Sequence, residues 1–218
     1  MKERLLNVAI GVLTLSSLAL VALLIRREFF PQQPAEILFV KDKNWRRYAQ
    51  SGISWGSPVA PVTLTLFSDF QCPYCKAFDP SVSAMKRKYG ESLRVVFHHY
   101  PLSGIHPNAR AAALAAECAN SRGKFSEMDS VLFLHQQKLG NASWGWFAAQ
   151  AGIADTIWLN QCVADSIFIK RVTDDRRLGE SVPVGGTPTM FVNELRVGGS
   201  LRRSALDSLI TKALGKRR

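Results

Sequence analysis

Val62-Thr63-Leu64-Thr65-Leu66-Phe67-Ser68-Asp69-Phe70-Gln71-Cys72-Pro73-Tyr74-Cys75-Lys76 is the stretch that decides how this chain folds. Residues 62–67 are apolar or β-branched throughout and read as a buried strand. A helical pattern follows. Phe78, Val82, Met85 and Tyr89 recur at roughly 3.6-residue spacing and predict a helix from Cys72 to about Gly90, kinked by Pro80. A strand that feeds a helix in this way sets Cys72 at the helix N-terminus. Free backbone N–H groups and the helix dipole favour a thiolate there. A cysteine that normally titrates near ~8.5 falls to between ~3.5 and ~7.5 in such a position. Cys75, one turn further in, is expected to be the more buried thiol and to resolve a mixed disulfide formed at Cys72. A thiolate with a second thiol beside it is the minimum equipment for disulfide exchange.

The residues around the two thiols have expected roles. Pro73 has no N–H to leave unpaired and suits the first helical turn. Tyr74 shapes access to the thiols and their potential. Asp69 is expected to cap the helix or form the turn before it, with proton relay to Cys75 through water as the alternative. A structural zinc site would need four ligands. Cys118 and Cys162 stand alone in sequence, so no metal is expected at this cysteine pair.

The chain has 218 residues, 47% hydrophobic and 21% charged, enough for one domain with attachments and a real core. Its formal charge of +11 is spread among membrane-flanking residues (Lys2, Arg4, Arg26, Arg27), a Lys216-Arg217-Arg218 tail and mixed-sign surface runs. No basic stripe with aromatic readers stands out, so nucleic acid is not an expected partner. Residues 5–25 carry no charge. A helix of that length spans about 31 Å, matching a hydrocarbon core of ~30 Å. The apolar run continues past Ser17-Leu18-Ala19, which favours an uncleaved anchor over a signal peptide. The expected organisation is an anchor at 1–27, a stalk and N-terminal extension at 28–57, and a domain at 58–218. Pro31 and Pro34 mark the stalk, residues 37–40 suit a short edge strand, and Trp45–Tyr48 suits a helical turn that packs aromatics on the domain.

Beyond the first helix, residues 93–100 read as a second strand. His98 and His99 alternate faces on it, so at most one is expected to point inward. A helical block then runs from about 104 to 180, with His106 expected to begin its first helix. Gly185-Gly186-Thr187-Pro188 ends the block. Residues 189–192 and 195–197 read as strands around an Asn193-Glu194 turn, and 201–214 as a last helix.

Strand, helix, strand, helical block, strand, strand, helix resembles an α/β thioredoxin fold with a helical insertion. Residues 67–75 resemble the active-site line of DsbA-like thiol–disulfide oxidoreductases. Gly186-Thr187-Pro188-Thr189 is similar to their cis-proline loop, and Gly123-Lys124-Phe125 to the start of a helix in their insertion. The resemblance covers about residues 58–214. It implies that Pro188 is cis and faces the thiols, and that Thr187 offers its backbone to an extended client. It also implies oxidation of client proteins or peptides through a Cys72–Cys75 disulfide, with no organic cofactor or metal and with a membrane redox partner. Tyr74 departs from the histidine frequent at this place in that family. A disulfide reductase or isomerase, and a non-enzymatic client-binding adaptor, stay open as alternatives. With the anchor, the expected place is the bacterial cytoplasmic membrane, single-pass, with the domain on the periplasmic side. In that oxidising compartment Cys118 and Cys162 are expected to pair, the alternative being two separate buried thiols.

Overall fold

Six strands form one sheet: β1 (Val40–Lys41), β2 (Ile53–Trp55), β3 (Val62–Ser68), β4 (Leu93–His99), β5 (Thr189–Val192) and β6 (Leu195–Gly198), in the spatial order β1-β6-β5-β3-β4-β2. The helices of the domain are α1 (Trp45–Ala49), α2 (Pro73–Tyr89), α3 (Ala109–Asn120), α4 (Phe125–Leu134), α5 (Trp144–Gln150), α6 (Thr156–Ala164), α7 (Ile169–Ser181) and α8 (Arg203–Gly215). The computed structural model describes residue 7 and residues 10–21, 40–182 and 184–215. It divides into two units, Met1–Ile37 and Leu38–Arg218. In the first unit residues 10–21 are helical. Among the described residues no helix is long and apolar enough to cross a membrane. The rest of the expected span at 5–25, save residue 7, and the stalk prolines Pro31 and Pro34 lie outside the described residues.

β3 is the centre of the sheet. It runs parallel to β4, with Val62 opposite Leu93 and Ser68 opposite His99, and antiparallel to β5, with Leu64 opposite Val192 and Phe67 opposite Thr189. All seven of its residues are buried. A parallel pair needs a crossover, and both faces of such a pair are usually covered. Here α2 makes the crossover. Leu66, Val95 and Phe97 line a cavity with Phe78 and Val82 of α2 on one face. On the other face Phe67 and Phe191 pack with Trp45 and Tyr48 of α1 and with Tyr100 and Val182.

Coverage on both faces corrects the expectation for the two histidines, because His98 and His99 are both fully buried. His98 stacks on Phe67. Its Nε2 donates to the Tyr48 carbonyl at 2.7 Å, and its Nδ1 lies 2.7 Å from Asp175 Oδ1 on α7. The other Asp175 oxygen accepts from the His99 backbone N–H at 2.9 Å. His99 Nε2 lies 3.3 Å from Glu117 of α3, which also pairs with Arg171 of α7. Burial works against the Glu117 charge, yet its contacts with His99 and Arg171 hold its carboxyl below the usual range. Buried charges persist only where they are paired in this way.

The domain starts earlier than the boundary expected at 58. β1 pairs with β6, β2 pairs with β4, and α1 packs in the core. β2 escapes sequence reading because it is only three residues long between two glycines. Gly52 takes φ +95°, and a Cβ there would sit 2.6 Å from the Phe97 carbonyl, so the edge strand closes against β4 only with glycine at that turn. α3 begins at Ala109, so His106 lies before the helix it was expected to start.

Cys118 of α3 and Cys162 of α6 form a disulfide with a Cα–Cα distance of 6.2 Å, both fully buried. It ties the helices of the insertion to one another across 44 residues of sequence. Replacing both cysteines with alanine should lower unfolding free energy by ~3–4 kcal/mol, the chain-entropy estimate for a loop of this size. Urea denaturation of the two proteins measures the difference; equal midpoints would show that the bridge adds nothing.

Candidate active site

The end of β3 and the start of α2 place the thiols. Cys72 is the N-cap residue, in extended conformation (φ −74°, ψ 123°), and Pro73 occupies the first turn. The Cys72 carbonyl accepts the first helical hydrogen bond from Lys76 N–H at 3.1 Å, and the Cys72 N–H closes a turn on the Asp69 carbonyl at 3.1 Å. No side chain caps α2, so of the cap and the turn expected of Asp69 it forms the turn. Its Oδ1 accepts from the Gln71 N–H at 2.7 Å, holding the turn. Its Oδ2 takes the Leu102 N–H at 2.9 Å and lies 2.7 Å from His106 Nδ1. Asp69 is therefore the fastener between the thiol-bearing turn and the loop after β4.

Two glutamines complete that fastening, and neither stands out in the chain as a site residue. Gln71 Oε1 accepts from the Asn108 N–H at 2.7 Å. Gln136, just after α4, donates to the Phe70 and Cys72 carbonyls at 2.8 and 3.0 Å. The insertion thus holds the turn from both sides. No local pattern in residues 67–75 could reveal contacts that reach across 64 residues of chain.

The Thr187–Pro188 peptide is cis. The Cys72 thiol donates to the Thr187 carbonyl at 3.3 Å, so the backbone expected to meet a client lies directly beside the first thiol. Tyr74 is 66% exposed, while Cys72 and Cys75 are 3% and 2% exposed. Surface burial does not separate the two thiols, but electrostatics does. Cys72 is lowered from 9.0 to about 5, chiefly by a hydrogen bond from the Cys75 thiol. Burial opposes this, and the Thr187 hydroxyl and the backbone N–H groups of Cys75 and Tyr74 add to it. That hydroxyl has no other partner, which leaves it free to donate to a Cys72 thiolate. Burial pushes Cys75 strongly upward, the shared hydrogen bond to Cys72 adds to this, and a contact with Ser68 partly offsets it. The arrangement is a nucleophilic sulfur at a helix N-terminus beside a protonated one, which can make and break disulfides.

A family model described as thioredoxin matches residues 49–212. The chain belongs to the thioredoxin family. Its fold is the DsbA-like form, with a helical insertion between β4 and β5. BdbD of Bacillus subtilis superposes with a TM-score of 0.65 over 83% of this chain and 100% of that one, at 20% identity. A thioredoxin-like oxidoreductase of Silicibacter pomeroyi gives 0.65 over 80% and 98%, at 21%. The Wolbachia pipientis thiol–disulfide exchange protein alpha-DsbA2 gives 0.62 over 78% and 91%, at 17%. Among curated proteins, a Na(+)/H(+) antiporter NhaA 1 of Salinispora arenicola is 36% identical over 158 residues, 72% of this chain and 24% of that protein. One of Mycolicibacterium gilvum is 36% identical over 146 residues, 66% and 24%. The chain spans about a quarter of the length of these curated relatives.

His99, Glu117 and Asp175 are the one cluster of metal-ligand type among the described residues. Its carboxylates already hold His98, the His99 N–H, Arg171 and Asn120. They serve the packing of α3 and α7 on β4.

The depressed Cys72 value carries a sign. A group lowered in the folded state adds stability that is fully present above its unfolded pKa and is lost as pH falls through the folded one. The reduced chain should therefore lose stability relative to Cys72→Ser between about pH 9 and about pH 5. Ultraviolet thiolate absorbance should titrate with a midpoint about 5 and move upward in Thr187→Val. A midpoint near 9.0 in the wild-type protein would refute the thiolate.

Proposed function

We propose that this DsbA-like thiol–disulfide oxidoreductase oxidises the thiols of client proteins. What supports the direction is Cys72 at the N-terminus of α2, where the Cys75 thiol, the Thr187 hydroxyl and the backbone N–H groups of Tyr74 and Cys75 favour its thiolate and lower it to about 5. A stabilised thiolate stabilises the reduced enzyme, and a stable reduced form makes the disulfide a strong oxidant. At pH 7 a thiol lowered from 9.0 to about 5 is two units above its midpoint. That favours the reduced form by about 3 kcal/mol, on the order of 60 mV for a two-electron couple.

In this reading a client thiolate attacks Cys72 of the Cys72–Cys75 disulfide. A client–Cys72 disulfide forms, and Cys75 leaves with the electron pair. A second client thiolate then attacks the client sulfur of the mixed disulfide. Oxidised client departs and the enzyme is left as a dithiol. The client chain lies along Thr187 and Pro188, and Tyr74, exposed beside the thiols, contacts it. A membrane redox partner takes the two electrons and restores the disulfide. No organic cofactor or metal takes part.

Residues 5–25 anchor the domain on the outer face of a bacterial cytoplasmic membrane. The uncharged run and the Cys118–Cys162 bridge support this placement, since such bridges belong to oxidising compartments. The antiporter names of the longer relatives agree with a membrane setting.

Redox equilibration of the purified protein against glutathione tests the direction. The expected potential lies above roughly −180 mV, in the range of oxidases and isomerases, and a value near about −270 mV would make the protein a reductant. Cys72→Ser should abolish client oxidation, and Cys75→Ser should trap mixed disulfides with clients on non-reducing gels. A Cys72→Ser chain that still supports client maturation in cells would instead favour the adaptor.

A further inference from the structure

Four stretches of chain meet at Cys72. Residues 69–76 carry the thiols. Residues 101–110 join them where Asp69 accepts from the Leu102 N–H and Gln71 from the Asn108 N–H. Residues 134–140 join them where Gln136 donates to the Cys72 carbonyl. Residues 184–188 bring the Thr187 carbonyl to the Cys72 thiol. The charged residues of these stretches are Asp69, Lys76, Arg110 and Lys138. Asp69 is buried, and its carboxylate is taken up by the Gln71 and Leu102 N–H groups and by His106. Every charge that these stretches show to solvent is therefore positive.

Lys76 Nζ donates to the Leu134 carbonyl at 3.4 Å, which sets an ammonium where the start of α2 meets the end of α4. Lys138 is exposed and keeps its Nζ 5.1 Å from the centre of the Trp146 ring. Arg110 is exposed on the first turn of α3, two residues after Asn108. Among the described residues none of these three pairs with a carboxylate, whereas Lys124, Lys170 and Arg176, elsewhere on the insertion, each do. Arg176 reaches the loop after β4 at the Pro101 carbonyl and carries its own acid in Glu180. Asp79, a turn past Lys76, is half-buried and lines a cavity with Lys86. The four stretches also expose Tyr74, Ile105 and Leu134 at 66%, 73% and 65%.

We propose that this face receives client segments whose cysteine is flanked by acidic and apolar residues. The inference rests on the exchange reading above and names the class of client that it fits. Unpaired cations around a reaction centre raise the local concentration of an anionic partner and speed its arrival. They also select, because a basic segment meets like charge there. The exposed apolar side chains give an arriving segment surface to bury. An attacking client thiolate is itself an anion, so the same field favours it. The exchange then weakens the attraction that began it. Cys72 leaves the reaction as a thiolate, which adds a negative charge among the cations, and an acidic product is held less strongly than the substrate was.

Three dithiol peptides of one length test this, with glutamate, glutamine or lysine around the cysteines. Each is mixed with the oxidised full-length chain, and acid quench with mass spectrometry follows reduction of the Cys72–Cys75 disulfide. Each rate is divided by the peptide's rate with uncharged hydroxyethyl disulfide, which removes differences in thiol reactivity. The glutamate peptide should exceed the glutamine peptide at least ~10-fold at low salt, the lower end of electrostatic steering. The advantage should shrink several-fold between about 0.01 M and about 1 M salt, as the screening length falls from ~30 Å to ~3 Å. Lys76→Gln with Lys138→Gln should bring the ratio towards one. Lys76→Glu with Lys138→Glu should pass the preference to the lysine peptide, which damage to the site would not do. Equal normalised rates for the glutamate and lysine peptides at low salt overturn the proposal. So does a glutamate preference that survives both high salt and the glutamine exchanges, since it would belong to other residues. A chain that oxidises none of the three, with its Cys72–Cys75 bridge shown closed, would remove the exchange reading itself.

Discussion

The pairing of β3 with β5 carries the site. Phe67 of β3 stands opposite Thr189 of β5, so each strand ends its paired stretch where the chemistry begins. One step beyond that register the first strand turns towards Cys72, and the other is entered from Pro188. The Cys72 thiol meets the Thr187 carbonyl because two non-local strands align in that register. A slip of one residue would turn every side chain of β5 to the opposite face. Both faces of β3 are buried, so such a slip would disrupt two cores at once, and the geometry at sulfur inherits the rigidity of the sheet.

A second set of constraints comes from the insertion. Asp69, Gln71 and Gln136 connect the thiol-bearing turn to the loop after β4 and to the end of α4. The turn carries backbone N–H and C=O groups that would be costly to leave buried and unpaired. The insertion supplies those partners. His98 and Asp175 do the same deeper in the molecule, joining β4 to α7 and, through Tyr48, to α1. The helical block therefore belongs to the site in a structural sense.

The elements that local pattern could reveal are those whose residues are consecutive. The buried run at 62–67, the spacing of Phe78, Val82 and Met85, and the placement of the cysteines after a strand were legible, and they located β3, α2 and the thiols. The two strands after Thr187-Pro188 were legible from their apolar content and the turn between them. What was not legible depends on partners far along the chain. Asp69 before a helix looks like a cap in one dimension, and only the position of His106 and Leu102 shows it to be a fastener. His98 and His99 looked half-exposed because alternation says nothing about a sheet covered on both faces. Residues 53–55 are too few to show a period, and their pairing depends on Gly52 approaching Phe97.

The bridge between Cys118 and Cys162 has a consequence for the birth of the molecule. A newly made chain has four thiols, and four cysteines allow three complete pairings. The finished protein holds the insertion pair as a closed bridge and keeps Cys72 and Cys75 as the pair that cycles. The chain must therefore undergo one oxidation of its own before its insertion is locked, with the reactive Cys72 already present as a competitor for the wrong partner. Closing the bridge removes two electrons from the chain, so every new copy consumes one oxidising equivalent before its insertion is complete.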